Sequence, residues 1–317
     1  MRVNTRCRAG LVLAGLVLIL AGGCASTAPE EMPADSQEVI QPTRVSPSLW
    51  AVSPGEEGGG RLYLLGSIHL GLPGPLDLGP SVDRAYRESD ELVVEVDLSQ
   101  LGKEEALALA RRYGMFEPPE TLEDHVSRDT WYALDAYLLQ RGIPMAPFET
   151  FRPWLAATTI GVIEFHEMGY DPKFGVDRLF IDRTQGRKPI VALETAEGQF
   201  GLLAGLPGDV QEQMLRESLA RVGEFEKDAL GMVSAWQNGD DAAVERLAFR
   251  TLHEDPGYEV FYERVLFERN RRMTKRMIEL SADGRTRFAV LGVAHLLGDR
   301  GILADFASRG FQVERVD

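Results

Sequence analysis

The chain has 317 residues, 44% of them hydrophobic and 26% charged, enough for one large domain or two small ones with an ample core. Its formal net charge is -15. So acidic a composition excludes a nucleic-acid partner, because phosphate binding needs a basic surface.

The first segment is read as an address rather than as fold. "MRVNTRCR" carries three arginines and no acid, and "AGLVLAGLVLILAGG" follows it. A basic start, a short apolar run and small residues before a cut site predict a secretory signal over residues 1–23. The run is shorter than the roughly 20 residues that span a bilayer. The small residues before Cys24 resemble a bacterial lipobox. That implies cleavage before Cys24, a lipid on its thiol and a periplasm-facing place in the cell envelope. Ala25 fits sorting to the outer membrane. Cleavage removes Cys7 and the lipid uses Cys24, so neither of the two cysteines remains for a disulfide, a nucleophile or a metal. Metal ligands must then come from His, Asp and Glu. Residues 24–48, rich in Pro, Ser and Glu, read as a flexible tether.

The domain proper is expected over 49–317, with a helical insert around 100–285. "LWAVS" and "RLYLLG" flank a glycine-rich turn and predict a β-hairpin. "LGPSVDRAYRESD" predicts a short helix and "ELVVEVDL" a strand. A long helical stretch follows. In it, "SRDTWYALDAYLLQRG" has a serine placed to cap, "RPWLAATTIGVIEFHEMG" stops at Gly169, and "GVDRLFIDRTQG" reads as one more short helix. "KPIVALET" reads as a strand, and residues 208–282 return to helix. The end alternates strand ("RFAVLG"), helix ("GILADFASRG") and strand ("FQVERV"). Strands frame the chain and helices fill its middle, so the fold class is α/β (α+β), a central mixed sheet with a helical insertion.

Two segments repeat one design. "RLYLLGSIHLG" and "RFAVLGVAHLLG" each run from an arginine through apolar residues to a glycine and then a histidine, His69 and His295. Both histidines follow a strand end, where ligands gather in parallel sheets. Histidine suits a divalent metal or acid–base work near neutral pH. Glu95 and Asp97 lie two apart in the "ELVVEVDL" strand and so on one face, where acids bind a metal or act as a general base. Glu194 ends the "VALET" strand. Glu268, Arg269 and Asn270 form a charged helical run of the kind that usually faces solvent. His166 begins an H-E-x-x-H pattern that fails at Tyr170, and His125 and His253 sit in acidic, loop-like contexts that read as surface. No nucleophile elbow, P-loop or dinucleotide fingerprint occurs.

With the paired G-x-x-H motifs, "ELVVEVDL", "GVDRLF", "ALET" and "LFERNRRM", the chain from about Leu49 onward resembles the TraB/PrgY/GumN family, which includes the TIKI metalloproteases. The resemblance implies a fold similar to erythromycin-esterase and ChaN-like proteins. It implies metal binding by His69, Glu95 and His295, with Glu95 and Arg269 catalytic. Further, it implies a peptidase acting on a peptide or protein substrate with manganese or cobalt, zinc being possible. The alternative is an envelope lipoprotein that binds a peptide, a metal or haem without turnover.

Overall fold

The computed structural model describes residues 42–55 and 59–316. The predicted signal at 1–23, Cys24 and most of the expected tether lie outside the described residues. Among the described residues eight strands form: β1 (Thr43–Arg44), β2 (Leu49–Ser53), β3 (Leu62–Ser67), β4 (Leu76–Asp77), β5 (Glu91–Val94), β6 (Ile190–Ala192), β7 (Arg287–Gly292) and β8 (Gln312–Val316). β1 pairs with β4 in parallel, and Val45 and Ser48 are buried. Residues 42–48, read from sequence as tether, therefore belong to the fold.

The other six strands make one sheet in the order β6-β5-β7-β3-β2-β8. β6, β5, β7 and β3 are mutually parallel, while β2 is antiparallel to both β3 and β8. The expected mixed sheet with inserted helices is the fold the chain adopts. Burial follows the order. β3, β5 and β7 are buried at every position, as strands covered on both faces must be. β6 and β8, at the two edges, are half-buried or exposed along their length. The predicted hairpin is β2–β3, with Leu49 opposite Leu65 and Val52 opposite Leu62.

From β3 the chain skips one place to β5, adds β6 outside it, and returns at the end to fill the gap with β7. The two G-x-x-H copies thus end neighbouring parallel strands. Their register is one residue off the motif alignment: Gly66 lies opposite Leu291, and Ser67 opposite Gly292.

Two cores form. Around the sheet, the helices Pro80–Glu88 and Val176–Thr184 share an aromatic cluster with β7, in which the rings of Tyr86, Phe180 and Phe288 stand 4.9 to 5.7 Å apart. The inserted helices between β5 and β7 close on a second cluster that includes Leu134, Trp154, Met214 and Tyr262. There Ser127 caps the helix Arg128–Arg141 and Gly142 ends it in the left-handed conformation, as the sequence pattern predicts. β6 interrupts this helical stretch and ties it to the sheet. No helix among the described residues is long and apolar enough to cross a membrane.

The arginines of the repeated segments part company. Arg287 is 1% exposed, and its Nε donates to Glu91 of β5 at 2.7 Å. Arg61 is exposed and lies 5.1 Å over the Tyr63 ring. Arg287 therefore clamps the start of β7 to β5, and Arg61 does not. Removing one partner of a buried ion pair strands the other. Arg285 still reaches Glu91, so Arg287→Ala is expected to cost about 3 kcal/mol, the low end of that range. Arg61→Ala should stay within about 0.5 kcal/mol of wild type. Urea unfolding of the two variants measures the difference.

Candidate functional site

Parallel strands align their carboxyl ends, so the residues following β3, β5, β6 and β7 gather at one edge of the sheet. His69 lies two residues past β3, Glu95 directly follows β5, and Glu194 lies two past β6. His295 sits in the one-turn helix Val293–Leu296 that follows β7. The helix Glu268–Ser281 brings Arg269 and Asn270 across this edge, both buried.

Glu95 is the centre, at 6% exposure. Its Oε1 accepts the Gly292 N–H at 2.7 Å, and its Oε2 accepts from Arg269 Nη2 at 2.5 Å. Its backbone carbonyl accepts the Glu194 N–H at 2.8 Å, which extends the β5–β6 pairing to both acids. His69 Nε2 stands 4.0 Å from Oε1 and His295 Nε2 3.5 Å from Oε2. Each ring turns its other nitrogen to a fixed partner. His69 Nδ1 meets Asp177 Oδ2 at 2.7 Å, and His295 Nδ1 meets Asn270 Oδ1 at 2.6 Å. The Asn270 amide nitrogen donates to the Arg300 carbonyl at 3.0 Å, which leaves Oδ1 as the acceptor facing the ring. His295 therefore donates from Nδ1, and in the neutral ring its Nε2 lone pair looks toward Glu95. Ser67 donates to the other Asp177 oxygen at 2.9 Å and fixes that carboxylate in turn.

The glycines of the two motifs serve space. A Cβ on Gly292 would stand 2.9 Å from His69 Nε2 and 3.2 Å from Glu95 Oε1. A Cβ on Gly66 would meet Val293 Cγ2 at 2.8 Å. One glycine keeps the centre of the site open, and the other lets β3 pack against the turn that carries His295.

Arg269 binds two acids at once. Its Nε and Nη2 donate to Glu194 at 2.7 to 3.1 Å, its Nη2 also to Glu95, and its Nη1 to the Val265 carbonyl at 3.1 Å. Val265 lies in a π-helical turn, Glu263–Phe267, directly before the Glu268–Arg269–Asn270 run. Such turns recur at functional sites because they redirect side chains. Here the turn also sends Val265 and Leu266 into a cavity of about 90 Å³ that His69, Arg269, Gly292 and His295 line.

Charge follows from this geometry. Burial alone would push the Glu95 carboxyl up; His295, Arg269, His69 and the Gly292 N–H outweigh it and hold the group down at about 2. Burial pulls His295 down to about 4, against the attraction of Glu95, so the ring is neutral near pH 7. For His69 burial works in the same direction, but Asp177 overcomes it and its pKa is raised. Burial also opposes the Arg269 charge, and Glu95 and Glu194 together prevail and raise it.

Asp97 is not in the site. β5 ends at Val94, so the alternation that would put Glu95 and Asp97 on one face stops before them. Asp97 instead closes a local turn, accepting from the Ser99 N–H and hydroxyl. Sequence reasoning overlooked Asp177, Asn270 and Ser67 as functional, although all three lie inside motifs it quoted. His166 and His253 are exposed. His125 stacks on Phe116 and pairs with Glu120, away from the centre.

Among the described residues, no group of three or more His, Cys, Asp or Glu side chains stands placed to hold a metal ion. The donor chemistry at the centre nevertheless fits a cation. Imidazole nitrogens and an ionised carboxylate facing one another are acceptors, and they need a proton or a positive ion between them. Both imidazoles also carry the outer hydrogen-bond partner that ligating histidines have.

Histidines following two neighbouring parallel strands close on one carboxylate beneath an arginine-bearing helix, a split site on an α/β fold. The TraB/PrgY/gumN family matches residues 48–315, and the chain belongs to it. It is 26% identical over 182 residues to the uncharacterized protein YbaP of Escherichia coli K12, covering 57% of this chain and 66% of that protein. It is 26% identical over 177 residues to the uncharacterized protein YbaP of Shigella flexneri, covering 56% and 64%. The matched stretch thus spans less than two thirds of each relative. No solved structure matches the chain.

Two outcomes are expected. Gly292→Ala, at a backbone angle that alanine tolerates, should fold yet displace His69 or Glu95, which nuclear magnetic resonance of the histidine rings would read. The second concerns acid. A carboxyl held at about 2 in the fold and near 4.5 unfolded adds stability above pH 4.5, and that stability fades as the pH falls toward 2. Urea midpoints of chelator-treated protein between pH 6 and 3 should therefore fall more steeply for wild type than for Glu95→Gln.

Proposed function

We propose that the protein is a divalent-metal-dependent peptidase or a related amide hydrolase, with His69, Glu95 and His295 at its centre. One observation carries this reading: two buried imidazoles, each fixed at Nδ1, turn Nε2 toward a single ionised carboxylate. His69 and His295 would hold the cation through Nε2, and Glu95 would contribute an oxygen. The family resemblance favours manganese or cobalt, and zinc accepts the same donors. When bound, such a cation lowers the pKa of water and polarises a carbonyl.

The chain's own residues divide the remaining tasks. Asp177 and Asn270 hold the two rings in orientation and keep the Nδ1 protons in place. Arg269 is first a positioning residue, because Glu95 and Glu194 share its fork. Its Nη1 carries a second hydrogen beyond the one given to Val265, and Arg269 lines the cavity. That hydrogen is suited to a substrate oxygen as negative charge develops on it. The apolar cavity walls lower the local dielectric and strengthen each of these interactions. A lipid on Cys24 would hold the domain at the envelope, periplasm-facing, with a peptide or protein there as substrate.

Capture without turnover is the second reading. It is favoured by one feature: both Glu95 oxygens already accept hydrogen bonds, from Gly292 and Arg269.

Titration of the purified domain with manganese, cobalt and zinc, followed by assay against a peptide library, separates the two. His69→Ala and His295→Ala are expected to abolish metal uptake and cleavage. Asp177→Asn should weaken metal binding by roughly 10- to 100-fold. Absence of metal uptake, with both alanine variants unchanged in every property, would sink the hydrolase reading. Loss of fatty-acid labelling in Cys24→Ser would support the anchor.

A further inference from the structure

The cavity beside the site has a chemistry of its own. His69, Arg269, Gly292 and His295 form one side of it, and the rest is almost wholly apolar: Leu70, Phe165, Tyr170, Met232, Val233 and Leu266. These residues come from four separate parts of the chain, and Leu70, Phe165 and Tyr170 belong to a small cluster of their own, apart from both main cores. A group packed for stability alone would close on itself. This one leaves about 90 Å³ open next to the reactive centre.

From this we infer that the cavity receives a compact aliphatic side chain of the ligand, of the leucine or methionine class, directly beside the bond presented to His69, Glu95 and His295. Size and polarity both select it. A dry cavity of roughly 150 Å³ takes benzene, so one of about 90 Å³ favours a branched or straight aliphatic group over an aromatic ring. A lysine or glutamate side chain entering past Phe165, Met232 and Leu266 would lose its hydration and find no partner on those walls. A second cavity, also about 90 Å³, shares Ile68, Leu70, Tyr170 and Val233 with the first and runs to the Gly71–Leu76 segment. The cleft therefore has room for a chain of residues rather than a lone amino acid. The inference deepens the peptidase reading and rests on it for the bond beside the pocket, but occupancy of the pocket is measurable without turnover.

The test uses the full domain with methyl-labelled methionine and three probes: N-acetyl-leucinamide, N-acetyl-phenylalaninamide and N-acetyl-lysinamide. The Met232 methyl signal should shift saturably with the leucine probe, roughly tenfold or more weakly with phenylalanine, and not with lysine. Val233→Phe, which fills the half-buried wall common to both cavities, should remove the response. If that variant misfolds, the ranking of the three probes on wild type still decides. Equal response to all three, or none to the leucine probe, overturns the inference. With metal added, cleavage of peptides indifferent to the side chain beside the bond would also overturn it while leaving the hydrolase reading intact. Leucine binding without cleavage of any peptide would keep the pocket and remove the hydrolase.

Discussion

A carboxylate cannot stay ionised away from water unless the protein supplies its solvation. Glu95 meets that demand with one backbone N–H from the end of β7 and one guanidinium from a distant helix, while two imidazoles, one following β3 and one following β7, close around it. Each partner is constrained by the next. Gly292 must lack a side chain, Arg269 must also satisfy Glu194, and each imidazole needs an acceptor behind it. The polar network is thus a closed set of dependencies, and a change at one member leaves another buried without its counterpart.

The sheet makes that set possible. Because β6, β5, β7 and β3 run the same way, four acids and bases that are far apart in sequence reach one edge without long loops. The one-residue register offset between β3 and β7 puts the two motifs in unlike positions. One glycine borders the buried polar cluster of His69 and Glu95, and the other borders packing. The duplicated pattern therefore supplies two different parts of one site rather than two equivalent half-sites.

Much of this is legible in the sequence alone. Apolar runs and glycine boundaries located the strands, capping residues located the helices, and the paired histidines pointed to one cleft. The misses have physical causes. Asp177 is 108 residues from His69, and nothing in its own neighbourhood distinguishes a buried orienting acid from an ordinary first-turn helical one. Arg269 and Asn270 sit in a run whose charge pattern describes a solvated face, so only the family resemblance pointed to Arg269 and nothing pointed to Asn270, yet both are buried where the π-turn and the neighbouring acids hold them inward. The pairing of Asp97 with Glu95 requires the strand to continue, whereas β5 ends at Val94 and Asp97 closes a local turn. The matched arginines looked equivalent because sequence records spacing and not which strand is central.

The spatial position of β7 bears on how the molecule is made. A chain that emerges from its amino end produces β3, β5 and β6 first, and β3 and β5 are not neighbours. Until β7 arrives, both face an empty slot with unpaired backbone edges of the kind that recruits strands from other molecules. The Glu95–Gly292 bond, spanning 197 residues, cannot form earlier. Folding along the chain is therefore expected to leave the β3 and β5 edges open until β7 is made. Contacts of such long sequence separation form late and slowly, so the polar site assembles only after β7 is in place.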